Sequence, residues 1–137
     1  MNTRSLYSII AIGLVIFLYA CSKPRKNDFF DIKWEIVTTA EVTDPYPIII
    51  TRAGLELAGS HTNFRSGKTW SYSTDFETSH RPVEVFLNGQ NMRLKEAGKV
   101  TLNIYVNNSL KATSTRETAI FDGKHTVTTG PVGYVIN

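Results

Sequence analysis

The stretch KVTLNIYV at residues 99–106 shows the clearest strand pattern in the sequence. Every second residue is apolar, so these side chains fall on one face of an extended chain, and Thr101 and Asn103 are expected to face water. A strand with one apolar face needs neighbouring strands for its backbone and a second layer over that face. The stretch therefore predicts a layered β-sheet protein. The apolar set comprises Val100, Leu102, Ile104 and Val106.

Further strand segments lie on both sides of this stretch. After the N-terminal apolar segment, no ten residues show the i, i+3, i+4, i+7 spacing of an amphipathic helix. About seven short strands with turn residues between them predict an all-β fold, an antiparallel immunoglobulin-like β-sandwich over residues 31–137. Trp34 and Trp70 are the expected core anchors on facing strands. The other strand segments are IKWEIVTT at 32–39, IIITR at 48–52, TWSYSTDF at 69–76, VEVFL at 83–87 and two short runs within 124–137.

Turn signals separate the expected strands. Asn88-Gly89 and Asp122-Gly123 are dipeptides typical of tight turns, and NNS at 107–109 predicts another turn. The segment AGSHTNFRSGK at 58–68 is rich in small and polar residues, which predicts a long loop.

Composition excludes several classes of protein. The chain has 137 residues, 42% hydrophobic and 20% charged, which is typical of one foldable domain with an N-terminal extension. The net charge of +3 is spread along the chain, without the basic stripe of a nucleic-acid-binding protein. The single cysteine cannot form an internal disulfide, so core packing and strand pairing must stabilise the domain.

The N-terminus has the features of a secretory signal peptide. MNTRS contributes one positive charge, and LYSIIAIGLVIFLYA at 6–20 contains no charged residue. A helix of these 15 residues is roughly 22 Å long, shorter than the ~30 Å hydrocarbon core of a bilayer. Residues 1–20 are therefore predicted to be a cleaved signal peptide rather than a membrane span.

The residues at the end of this segment resemble the lipobox of bacterial lipoproteins. They read Leu18, Tyr19, Ala20 and Cys21. The resemblance implies that the Cys21 thiol receives diacylglycerol, that the new N-terminus is acylated, and that membrane lipid is a partner of the chain. Residues 21–30 are then a lipidated tether whose basic side chains lie beside anionic headgroups. In the sorting pattern of such lipoproteins, the non-acidic residue after Cys21 favours the outer membrane. The run after the cysteine is basic rather than acidic, which favours the periplasmic face over the cell surface.

The second half of the chain resembles MmpS-like proteins. The resemblance rests on Trp70, Phe76, Leu87 with Gln90, and above all GKVTLNIYVN at 98–107. Members of this family are small membrane-anchored β-sandwich proteins that assist RND-type exporters of lipids and siderophores. The resemblance implies a non-catalytic accessory or binding module with an envelope protein as partner, and no catalytic residue or cofactor.

The strongest candidate binding residues occur in the expected loop at 58–68. His61, Phe64 and Arg65 stand there among small residues, a composition suited to a binding loop on a rigid scaffold. An alternative function for the protein is inhibition of a secreted hydrolase, in which this loop protrudes and contacts the enzyme. Phe64 packed back onto the sandwich is the competing interpretation. The three histidines lack metal-ligand spacing, so neither a metal site nor catalysis is expected.

Overall fold

The computed structural model describes residues 28–43, 46–52, 55–56, 62–64, 66–89 and 91–137. Across these residues the regular structure is all strand, without a helix, and the paired strands are antiparallel. This confirms the all-β class with antiparallel sheets, consistent with a sandwich. The strands are β1 Asp28–Thr38, β2 Tyr46–Arg52, β3 Leu55–Glu56, β4 Thr62–Phe64, β5 Thr69–Thr78, β6 Val83–Asn88, β7 Asn91–Leu94, β8 Lys99–Val106, β9 Ser109–Glu117, β10 Ala119–Phe121, β11 Lys124–Thr128 and β12 Val132–Ile136.

The strands form three hydrogen-bonded sheets. The first has the order β5-β1-β8-β9, and the second has the order β12-β6-β2-β3 with β4 also paired to β2. The third is a small sheet of order β10-β11-β7. The structure describes more strands than the seven or so expected, because two- to four-residue strands such as β3, β4 and β7 are too short to show an alternation.

The apolar faces of the strands meet in one core. The alternating residues of β1, β6 and β8 are buried as the sequence pattern predicts, and Ile48 and Ile50 of β2 join them. Each large side chain buried in this way contributes roughly 1.5–3 kcal/mol to folding. These core residues from β1, β6 and β8 are Ile32, Trp34, Ile36, Val83, Val85, Leu87, Val100, Leu102, Ile104 and Val106.

The placement of the two tryptophans differs from the expectation. Trp34 is fully buried in β1, but Trp70 is only partly buried and lies in β5, the strand next to β1 in the same sheet. The two residues are therefore not on facing strands. Sequence alternation shows which side chains share a face, but it does not show which strands pair.

The chain also enters the sheet earlier than expected. β1 begins at Asp28, so residues 28–30, which the sequence assigned to the tether, belong to the sheet. Asp28 pairs with Thr78, and the ring of Phe30 lies 6.3 Å from the ring of Phe76. None of the described residues belongs to a helix long and apolar enough to cross a membrane.

The predicted turns have two different outcomes. Asn107 and Asn108 have φ of 50° and 61°, and they join β8 to β9 in a tight hairpin as expected. Asn88-Gly89 instead leads from the second sheet into the third, because β6 pairs with β2 and β12 whereas β7 pairs with β11. A Cβ at Gly89 would lie 3.1 Å from Thr129 Oγ1, so this glycine permits a close crossing.

Candidate functional site

The hairpin of β10 and β11 carries the two most accessible large apolar side chains among the described residues. Asp122 and Gly123 connect the two strands with φ of 51° and 68°, the left-handed conformation of a two-residue type I′ turn. The side chains before this turn are exposed: Ile120 is 74% accessible and Phe121 is 75% accessible. Two adjacent large apolar residues this exposed are typical of an interaction site.

The hairpin is exposed because it extends beyond the core. In the third sheet, Met92, Leu94 and Val127 bury their side chains against the rest of the protein. β10 is one strand further out, and in the described part of the chain it pairs with β11 alone. Ile120 points to the same side as the core residues but lies beyond the layer that would cover it.

A groove of about 490 Å³ lies beside the hairpin. We call it the hairpin groove. Its described lining combines apolar, hydroxyl and amide groups with one cation and one carboxylate, and it is open to solvent. Such a mixed lining is suited to binding a side chain from a partner. The lining residues are Asn91, Arg93, Glu117, Ala119, Ile120, Phe121, Thr126 and Thr128.

Three of the polar residues that line the groove, Asn91, Glu117 and Thr128, have hydrogen-bond or ion-pair partners. The Thr128 hydroxyl donates to Asn91 Oδ1 at 2.8 Å. Lys99 Nζ lies 2.9 Å from Glu117 Oε1, and this hydrogen bond holds the pKa of the Glu117 carboxyl below its ordinary value. The groove therefore combines these polar groups with the apolar ring of Phe121, whereas the Ile120 side chain points to the other face of the sheet.

The hairpin lies at the end of the first sheet opposite to the start of the described chain. β1 begins at Asp28 and ends at Thr38, and Thr38 pairs with Val100 near the start of β8. The last residue of β9, Glu117, pairs with Lys99 at that same end, and β10 follows directly. β1 has 11 residues and is roughly 35 Å long, so about this distance separates Asp28 from the end of the sheet at which the hairpin lies.

Of the predicted binding loop at 58–68, the structure describes residues 62–64 and 66–68. Residues 62–64 form β4, and Phe64 is only 2% accessible because it packs into the core. This corrects the expectation that Phe64 projects to a partner, and the competing interpretation, in which it packs onto the sandwich, is the one observed. His61 and Arg65 lie outside the described residues, and so does Cys21.

A polar network covers the outer face of the first sheet. Glu35 accepts hydrogen bonds from Lys33 Nζ at 2.7 Å, from the Tyr105 hydroxyl at 3.0 Å and from Asn103 Nδ2 at 3.2 Å. Thr113 Oγ1 donates to Asn103 Oδ1 at 2.8 Å. Asn103, expected to face water, is thus buried under neighbouring polar side chains. The outward direction was correct, but cross-strand neighbours cover it.

Charge in this network is arranged around one carboxylate. The hydrogen bond from Lys33 is the largest cause that holds the pKa of Glu35 below its ordinary value, and Asn103 and Tyr105 act in the same direction against the effect of burial. The hydrogen bond between Tyr105 and Glu35 is the largest cause that raises the pKa of the Tyr105 hydroxyl. Every member has a partner within the network, so we interpret it as a structural element.

Among the described residues, the remaining titratable groups show no catalytic arrangement. Ser79 Oγ lies 3.1 Å from His80 Nδ1, but both residues stand in an exposed bend. In the described ranges, no three His, Cys, Asp or Glu side chains are grouped so that they could hold a metal ion. The hairpin groove therefore remains the best-supported candidate site.

Comparisons with protein-family models, curated proteins and solved structures found no match to this chain.

The hairpin surface was not predicted from the sequence, although the sequence contains a signal for it. Ile120 and Phe121 are adjacent and precede Asp122-Gly123, so in a strand that leads into a hairpin turn their side chains must point to opposite faces of the sheet. One of the two is then directed away from any single core.

Proposed function

We propose that this protein is a lipid-anchored lipoprotein of the bacterial envelope that serves as a non-catalytic binding module. The proposed anchor is the acylated Cys21, on the periplasmic face of the outer membrane. The proposed contact surface is the β10–β11 hairpin with its groove. The observation that carries the proposal is the exposure of Ile120 and Phe121, at 74% and 75%, beside the open hairpin groove.

The sequence before the domain supports the anchor. An uncharged 15-residue segment ends in LYA and is followed directly by Cys21, and three basic residues lie within the next five positions. Several acyl chains hold a protein at a membrane far more firmly than one, at ~0.8 kcal/mol for each buried CH₂. Basic residues next to the anchor add about 1 kcal/mol each beside anionic lipid.

The length of the tether supports a protein, rather than the anchoring membrane, as the occupant of the hairpin surface. Six residues separate Cys21 from Asp28, and the seven steps of chain between these two residues reach at most about 25 Å when fully extended. Inserting the hairpin tip-first into the same bilayer would place Asp28 roughly 35 Å from the surface, one β1 length away. The tether is too short for that orientation.

The resemblance to MmpS-like proteins supports an accessory role. Such a role needs an exposed apolar patch or an unpaired strand edge for a partner, and the hairpin provides both. In this proposal the protein assists an RND-type exporter or a related envelope assembly. The alternative function, inhibition of a hydrolase through the loop at 58–68, loses the support of Phe64, which is buried; the other two candidate contacts, His61 and Arg65, lie outside the described residues.

The anchor is tested by expressing the full chain and Cys21→Ala in a bacterial host supplied with a labelled fatty acid. We expect the parent chain to carry label and to sediment with the outer membrane, and the variant to lose the label. Equal fractionation without label in both would contradict the anchor.

The contact surface is tested by a photo-crosslinking amino acid at position 121 in living cells. The matched control has the same amino acid at Leu110, an exposed apolar residue at the opposite end of β9. We expect an adduct at position 121 with an envelope protein, identified by mass spectrometry, and little at position 110. Equal yields at both positions, or no adduct, would contradict the surface.

A further inference from the structure

We propose that the partner at the hairpin surface is a second copy of this chain, joined by antiparallel pairing of two β10 strands about Ile120. This inference rests on the proposed function, since it names the partner of the same surface. It follows from the hydrogen-bond pattern of the hairpin, the order of side chains along β10 and the position of the groove.

The backbone of β10 offers one free pair of hydrogen-bonding groups. In a hairpin with a two-residue turn, the residues that flank the turn, Phe121 and Lys124, exchange hydrogen bonds with each other. The pattern then alternates, so the N–H and C=O of Ile120 point away from β11, towards the open edge. Two copies related by a two-fold axis at Ile120 would exchange both bonds, Ile120 with Ile120, and would join two three-stranded sheets into one of six.

The side chains on either side of Ile120 fit this two-fold arrangement. Pairing Ile120 with its copy places Phe121 of each protomer opposite Ala119 of the other, in a close pair that does not exchange hydrogen bonds. Ala119 is small and lines the hairpin groove. The ring of Phe121 would therefore cover the partner's Ala119 and enter the partner's groove beside Thr126. On the opposite face, the two Ile120 side chains would contact each other.

The charge pattern also permits this pairing. None of the three β10 residues is charged, so pairing sets no like charges opposite each other. Unlike β10, both edge strands of the first sheet carry charged residues: β5 contains Asp75, and β9 contains Lys111 and Arg116. Charged side chains along an edge oppose the addition of another strand, and an uncharged apolar edge favours it. A two-fold contact uses the same patch twice, as most homodimers do.

A cross-linking experiment on membranes from cells that express the full chain tests the inference. Ile120→Cys is treated with a short bismaleimide, and products are separated by mass. The parent chain controls for Cys21, and Glu84→Cys is the matched control, an exposed residue of β6, which is flanked on both sides by strands of the second sheet. We expect a product of twice the monomer mass from Ile120→Cys, at least tenfold more abundant than from either control.

A second variant separates the proposed geometry from random collision. Ala119→Glu in the Ile120→Cys chain would meet the partner's Phe121, so we expect the doubled product to fall about tenfold. This side chain is exposed, and thermal unfolding should stay unchanged. Doubled product that is equal at positions 120 and 84, or unaffected by Ala119→Glu, would overturn the inference.

The outcomes also separate this inference from the proposed function. Two outcomes would overturn the dimer and leave the proposed binding module intact. The first is a cross-link from position 120 to a different protein. The second is no cross-link at position 120 while position 121 captures another envelope protein. Absence of any adduct at both positions overturns both.

Discussion

Truncating Phe64 tests whether the segment at 62–64 belongs to the core or to a surface loop. Phe64 is 2% accessible and packs within the hydrophobic cluster. Replacing a buried Phe by Ala removes its burial and leaves a cavity, at a cost of about 3–5 kcal/mol. In a domain of this size, 1 kcal/mol shifts Tm by roughly 4 °C, so Phe64→Ala should lower Tm by about 12–20 °C.

Phe29→Ala is the matched control, because Phe29 undergoes the same chemical change at a side chain that is 70% accessible. An exposed substitution of this kind changes stability by about 0.5 kcal/mol or less. Both variants and the parent chain are unfolded thermally and with urea, with the fluorescence of Trp34 and Trp70 as the signal. A Phe64→Ala variant within 0.5 kcal/mol of the parent would refute the burial of Phe64 and restore it as a surface contact.

Two further predictions concern the sheet faces. Glu35→Gln should lower the free energy of unfolding by about 1–2 kcal/mol at pH 7, because it removes the charge that three neighbours hydrogen-bond. Because the pKa of Glu35 is lowered in the folded protein, this stabilisation is present above the ordinary pKa of 4.5 and is lost as the pH falls through the folded-state pKa. The free energies of unfolding of parent and variant in urea should therefore converge at acid pH. A constant difference between them down to pH 2 would contradict this role of Glu35. Gly133 lies opposite Phe86, and a Cβ there would collide with the phenyl ring, so Gly133→Ala should cost about 1–3 kcal/mol in thermal unfolding. Gly130→Ala, with open space around it, should cost far less, and equal losses for the two glycines would argue against the close packing of Phe86.

Much of the fold was readable from local patterns. Alternation identified the buried faces of β1, β6 and β8, since residues two apart in a strand share a face wherever that strand lies. Asp122-Gly123 and Asn107-Asn108 identified two hairpin turns, because these residues tolerate positive φ. The sequence left two interpretations of Phe64 open, a surface contact and a side chain packed onto the sandwich, because a three-residue strand shows no period.

The sequence by itself determined the all-β class, the faces that form the core and the features that motivate the proposed anchor at Cys21, because each depends on residues close together in the chain. The tertiary structure alone decided which strands pair, that Asn103 is covered by Glu35 from a strand 68 residues away, and that Ile120 and Phe121 project beyond the core. Pairing depends on contacts between distant segments, and the exposure of an apolar side chain depends on whether a second layer reaches it. The order of neighbouring residues shows that Ile120 and Phe121 point to opposite faces, but it shows neither which strands pair nor whether a second layer covers an apolar side chain.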